Sequence, residues 1–196
     1  AERIGASIYT IHPGFLIDPK GESCSSKNYD FEFSSVSSLS STDYSRCLKI
    51  FNRSLKDISG YVKDKSVTIA VETQGSVSKK NLVLFSTPED FSIFFKENPD
   101  SKIGINLNLA HMNLSACAWG FNKYELIELL KQRIVAVEVS HNEGVEDDHQ
   151  ALRVDGWYLN VLKDSFFKKI PVILECRNLP IDKIVRSQSL LRDVLG

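Results

Sequence analysis

The sequence lacks what would place it across a bilayer or in an oxidising compartment. Its four cysteines, Cys24, Cys47, Cys117 and Cys176, lie far apart and form no CxxC pair. Scattered single thiols fit a reducing compartment and a structural role better than a disulfide framework or a zinc ribbon. No apolar run approaches the roughly 20 residues that span a bilayer. The N-terminus has no basic-then-apolar leader pattern. The expectation is a cytoplasmic protein with no membrane partner. Net charge is also missing: 24 Lys and Arg against 25 Asp and Glu leave −1. No bulk field then draws the chain to nucleic acid, although a local basic strip is still open. No GxGxxG follows the first strand, so a dinucleotide fold lacks its phosphate signature, and no nucleotide-binding residues are assigned.

What is present is an ordinary globular composition, 42% hydrophobic and 25% charged over 196 residues. That suffices for one sizeable domain, taken here as residues 1–196. Ile4 to Ile11 reads as a short apolar strand stopped by His12-Pro13-Gly14. Residues 18–41 are polar and serine-rich without helical periodicity, which predicts a long loop or insertion. Thr42 or Asp43 caps a helix to about Val62, with Leu48, Phe51, Leu55, Ile58 and Val62 on its buried face. Val67 to Val71 is the second strand, ending in Glu72. Thr87-Pro88-Glu89 opens the next helix with a cap, a first-turn proline and an acid at the positive end of the dipole. Ile103 to Leu107 is the third strand, with Asn106 and Asn108 at its end and His111 just beyond. A helix follows over Phe121 to Gln132, capped by Asn122. Asp155-Gly156 begins a helix to about Phe167, Pro171 to Leu174 is the fifth strand, ending in Glu175, and Ile181 to Leu195 closes the chain as an amphipathic helix.

The stretch Val135 to Gln150, VAVEVSHNEGVEDDHQ, organises the rest. Val135, Val137 and Val139 alternate as a fourth strand does when one side meets a core. Ala136, Glu138 and Ser140 turn to the other side. Asp147-x-His149 then sets a hard oxygen and an imidazole on one loop, a pairing suited to zinc, manganese or iron.

Strands alternating with helices imply right-handed βαβ crossovers and a parallel sheet. The fold class expected is α/β, a (β/α) TIM barrel, whose active site gathers at the C-terminal strand ends. His12, Glu72, Asn108, His111, Glu138, Asp147, His149 and Glu175 all lie at such ends. Five units are legible where a full barrel has eight, so about three N-terminal units fall outside this chain.

For several of these residues a plainer reading stays open. His12 could shape a turn, and His111 could donate to a carbonyl at a helix start. His141 reads by default as a solvated loop histidine, or as a replacement for an imidazole missing at Glu138. Glu146, Asp147 and Asp148 form an acidic run of the kind usually just solvated. Glu138 could pair with Arg133, Arg153 or a lysine instead of a metal. Trp119, Phe121 and Trp157 read as packing residues, and Lys79 and Lys80 as loop surface. Glu72 and Glu175 each end an apolar strand, where an acid needs a partner, so a functional role is preferred for both.

Taken in order, IHPGF, VETQGS, GINLNLAHMNLSA, EVSHNEGVEDDH and VILE resemble the xylose isomerase-like TIM-barrel superfamily and, within it, endonuclease IV. That resemblance implies hydrolysis of a phosphodiester beside an abasic site in DNA by three zinc ions. His12 would bind one metal and Glu72 would bridge two. His111, Asp147 and His149 would complete a third site. Glu175 would hold a metal and orient the attacking water. Asn108 stands where the family has aspartate, and Glu138 where it has histidine. Both exchanges alter the donor set, and the second favours manganese or magnesium over zinc. The superfamily's other large activity is isomerisation or epimerisation of a sugar or sugar phosphate. There one metal polarises the substrate while Glu72 and Glu175 move the proton. A third option is a non-catalytic relative that binds a ligand after losing metals.

Overall fold

A computed structural model of the chain describes residues 1–17, 41–76, 82–99 and 102–196. The loop expected over residues 18–41 lies outside the described residues up to its last position, where a helix already begins, and Lys79 and Lys80 lie outside them as well. Among the described residues five strands form one parallel sheet: β1 (Ile8–Ile11), β2 (Thr68–Glu72), β3 (Gly104–Asn108), β4 (Ile134–Val139) and β5 (Val172–Leu174). Their spatial order is their chain order. Every connection is therefore a crossover to the next neighbour, which is the winding of a TIM barrel. The sheet is a curled part of such a barrel, in line with the five units counted from sequence.

The register decides which side chains share a face. Glu72 lies beside Asn106, and Asn108 beside Glu138, with Ala70 beside Gly104 and Asn106 beside Ala136. Small and polar residues thus alternate with Ile69, Val71, Ile105, Leu107, Val137 and Val139, all buried in the apolar core. The period of two sends the apolar set toward the helices and the polar set to the concave side. Gly104 is required at this packing: a Cβ there would lie 2.5 Å from a Val135 methyl.

Helix α1 (Ser41–Val62) buries Leu48 and Leu55, while Ile58 is 36% exposed and falls outside the buried stripe. Helix α2 (Pro88–Glu97) starts with a capping box. Thr87 accepts from Asp90 N, and the Asp90 carboxylate accepts from Thr87 N at 2.9 Å and Ser86 N at 2.8 Å. Three expectations need correction. The first strand is shorter than Ile4–Ile11, because Glu2–Ile4 is a 3-10 turn that ends at Gly5 with positive φ. The helix expected over Phe121–Gln132 is α4 (Lys123–Leu130) followed by a 3-10 turn at Lys131–Arg133. A further helix, α3 (Leu109–Trp119), precedes it. Helix α3 is buried from Leu109 to Ala116, so it shows no polar face and no amphipathic period to read. The helix expected up to Phe167 is α5 (Trp157–Leu162) plus a 3-10 turn at Phe167–Lys169. Helix α6 (Ile181–Leu195) matches its expected bounds. No helix among the described residues is long and apolar enough to cross a membrane.

Candidate metal centre

The C-terminal ends of β2, β3, β4 and β5 bring Glu72, Asn108, Glu138 and Glu175 together. The β4–α5 loop adds Asp147 and His149, and the first turn of α3 adds His111. At the other edge, beyond β1, His12 Nε2 meets Glu72 Oε2 at 3.1 Å with its ring largely exposed. All eight residues singled out from the sequence therefore belong to one connected cluster.

Two arrangements within it differ in character. In the first, His111 Nε2 lies 3.4 Å from Asp147 Oδ2, and His149 Nε2 lies 3.1 Å from the same oxygen. The two rings stand edge to face with centroids 5.7 Å apart. Each ring is anchored through its other nitrogen. His111 Nδ1 donates toward Thr73 O at 3.0 Å and Glu72 Oε1 at 3.2 Å. His149 Nδ1 reaches the Glu175 carbonyl and Glu175 Oε2, each at 3.2 Å. Metal-ligating histidines are held this way, with the outer nitrogen on a carboxylate or carbonyl and the inner one free for the cation. One donor atom from each of His111, Asp147 and His149 can lie within 4.8 Å of the others. Asp147 Oδ1 is buried with no hydrogen-bond partner among the described residues, a cost that a cation would remove. Two imidazole nitrogens and a carboxylate suit zinc or manganese. This donor set fits a divalent metal.

The second arrangement is the ring of acids. Asn108 Nδ2 lies 3.1 Å from Glu72 Oε1, 3.2 Å from Glu138 Oε2 and 2.9 Å from Glu175 Oε2. Glu138 is also held by Asn106 Nδ2 at 2.8 Å. The same Asn108 caps α3, its Oδ1 accepting from Ala110 N at 3.1 Å and His111 N at 3.2 Å. Its amide oxygen is thus committed to the helix, and a nitrogen that cannot coordinate faces the acids. A metal shared by Glu72, Asn108, Glu138 and Glu175 does not fit these side chains.

The electrostatics follow from the pairings. Burial favours the neutral form of Glu72, but hydrogen bonds from His111 and His12 outweigh it and hold the acid down to about 2. Burial opposes charge on Asp147 as well, and His111 and His149 overcome it, keeping this acid well below the usual carboxylate range. Burial works against protonated His149, yet its bonds to Asp147 and Glu175 raise it to about 9. Glu138 goes the other way: burial, then the nearby Glu72 charge, pushes it up. Without a cation, the cluster holds protons on its imidazoles where a metal would supply the positive charge.

His141, expected as a solvated loop residue or a substitute imidazole, is neither. It is buried against the Tyr158 ring at 6.0 Å between centroids, and its Nε2 meets Glu143 at 3.2 Å. Glu138 pairs with no arginine or lysine among the described residues. Arg153 instead engages Glu143 and Asp155. Trp157 packs as expected, with Lys123 Nζ 3.9 Å above its ring. Sequence reading missed Asn106, Thr73 and Gln74 as supports. Asn106 carried a signal, since it lies two residues before Asn108 and so on the same face of β3. Thr73 and Gln74 carried none.

No family model matches the chain, and no curated protein matches it. Solved structures do. A D-tagatose 3-epimerase-like protein superposes with a TM-score of 0.68 at 20% identity, covering 96% of this chain and 62% of its own. A xylose isomerase domain protein from Alicyclobacillus acidocaldarius gives 0.59 at 15% identity, covering 98% and 64%. A 3-keto-D-glucoside 4-epimerase from E. coli gives 0.51 at 14% identity, covering 81% and 57%. The chain spans about three fifths of the length of these structures. At such identities the likeness shows the fold alone, part of a (β/α) barrel. It does not single out endonuclease IV.

Proposed function

We propose that this chain carries part of a divalent-metal-dependent isomerase or epimerase acting on a small sugar or sugar phosphate. One cation, zinc or manganese, would be held by His111, Asp147 and His149. The observation that carries this reading is the pair of imidazoles whose Nε2 atoms meet one Asp147 oxygen while their Nδ1 atoms are tied to Glu72 and to Glu175. Bound there, the cation would polarise a substrate carbonyl or hydroxyl. Glu72 and Glu175 reach the same Asn108 nitrogen, at 3.1 and 2.9 Å, so the two carboxylates frame one point. Glu175, about a third exposed, would take a proton from a carbon of a substrate bound on the open side of the cluster and hand it back to the neighbouring carbon, while Glu72 stays ionised between His12 and His111. The sugar chemistry named for two of the neighbours supports the substrate class. Hydrolysis of abasic DNA by three metals is the weaker reading, because Asn108 presents an amide nitrogen where one of those cations would need a ligand.

The test is incubation of metal-loaded protein in deuterated water with a panel of ketoses and ketose phosphates. Deuterium entering a carbon-bound position, lost in Glu175→Gln, is the expected result. Cleavage of abasic-site DNA with no exchange into any sugar would transfer the assignment to the phosphodiesterase. Neither activity in a metal-loaded protein would leave a binding relative.

A further inference from the structure

We infer that Asn108 is a metal-excluding residue: its amide nitrogen takes the place of a cation among Glu72, Glu138 and Glu175 and so limits how many divalent ions the chain can hold. This deepens the metal reading above and rests on it only for the ion at His111, Asp147 and His149.

The orientation of the amide is forced from two sides. The backbone N–H groups of Ala110 and His111 need an acceptor at the start of α3, and Oδ1 supplies it. On the other side three carboxylate oxygens within 3.2 Å need a donor, and Nδ2 supplies it. A flipped amide would set N–H against N–H at the helix and oxygen against three carboxylates, losing every one of these bonds. The lone pair of an amide nitrogen is delocalised into the carbonyl, so it offers a metal nothing. Three acids drawn to one point would otherwise be a hard-cation site of the kind magnesium, manganese or calcium takes. Here a fixed, fractionally positive NH2 group stands at that point. An aspartate would cap α3 equally well, since aspartate and asparagine are equivalent N-caps. Its second oxygen would then complete a ring of four carboxylates.

The experiment compares the chain with its Asn108→Asp variant, after chelation, by elemental analysis and by titration calorimetry with zinc and with manganese. The variant is expected to bind about one more ion per chain than the unaltered protein. With chelator it should melt lower than the unaltered protein, because four acids then repel, and metal should restore it. Equal ion counts in the two proteins would overturn the inference while leaving the His111–Asp147–His149 ion in place. An unaltered protein that binds no ion, beside a variant that binds one, would uphold the role of Asn108 and remove the ion from the proposed function. Should the variant not fold, cadmium NMR on the unaltered protein decides. One resonance upholds the exclusion, and a second with all-oxygen ligation overturns it.

Discussion

Asp147 and His149 lie two residues apart and still meet side chain to side chain, Oδ2 to Nε2 at 3.1 Å. The backbone makes this possible, for His149 has a φ of +45°, a region that non-glycine residues enter only under constraint. The constraint is visible in its backbone carbonyl, which accepts from Arg177 N, and in its buried ring between Ser140 and Glu175. Strain of this kind persists at sites where it places a functional group. His149→Ala should therefore lower the metal content of the protein to near zero without unfolding it. Elemental analysis with circular dichroism measures both. Full metal content in that variant would remove the site.

The carboxylates behind the two histidines make a second prediction. Glu72→Gln keeps the shape of the side chain but weakens the anchor on His111. Outer-shell losses of this kind cost about 10- to 100-fold in metal affinity. Competition against a chromogenic chelator should show a loss in that range, with a separate and smaller loss for Ser140→Ala.

Acidity gives a third. Folding raises His149 from 6.5 to about 9. A raised histidine stabilises the metal-free fold fully below pH 6.5, and that contribution fades as pH rises through about 9. Asp147 is shifted down from 3.8, so its contribution is present above that value and is lost as pH falls. Urea midpoints of the metal-free protein should accordingly decline from pH 6.5 toward pH 9. Zinc affinity should climb over the same window, because a proton must leave Nε2 before the metal binds. A flat midpoint across that window would contradict the ion pairs.

Two further substitutions test the scaffold apart from the site. Thr87→Ala removes half of the capping box of α2 and should cost about 1 kcal/mol. Gly104→Ala presses a methyl against Val135 on the neighbouring strand and should cost about 1–3 kcal/mol. Denaturant unfolding measures both. Metal content should be unchanged in the first, whose hydrogen bonds to Asp90 stay within the start of α2.

Much of this is legible in the sequence. Periods of two in Val135 to Val139, together with turn and cap residues, placed the five strands, and α6 was bounded to the residue. Glu72 and Glu175 stood out because an acid closing an apolar strand needs a partner. Helix α3 was not legible, because a helix buried on all sides from Leu109 to Ala116 loses the polar stripe that marks helices in sequence. The burial of His141 was likewise hidden, since it depends on Tyr158, seventeen positions away.

The sequence by itself determined the alternation of strand and helix and the kinds of donor at the strand ends, since both follow from local spacing and side-chain chemistry. Only the tertiary structure decided which donors face one another. A parallel register across four strands sets Asn108 among three acids, and a helix N-terminus dictates which end of its amide they meet. Those are contacts between residues up to 67 positions apart, and no local pattern encodes them.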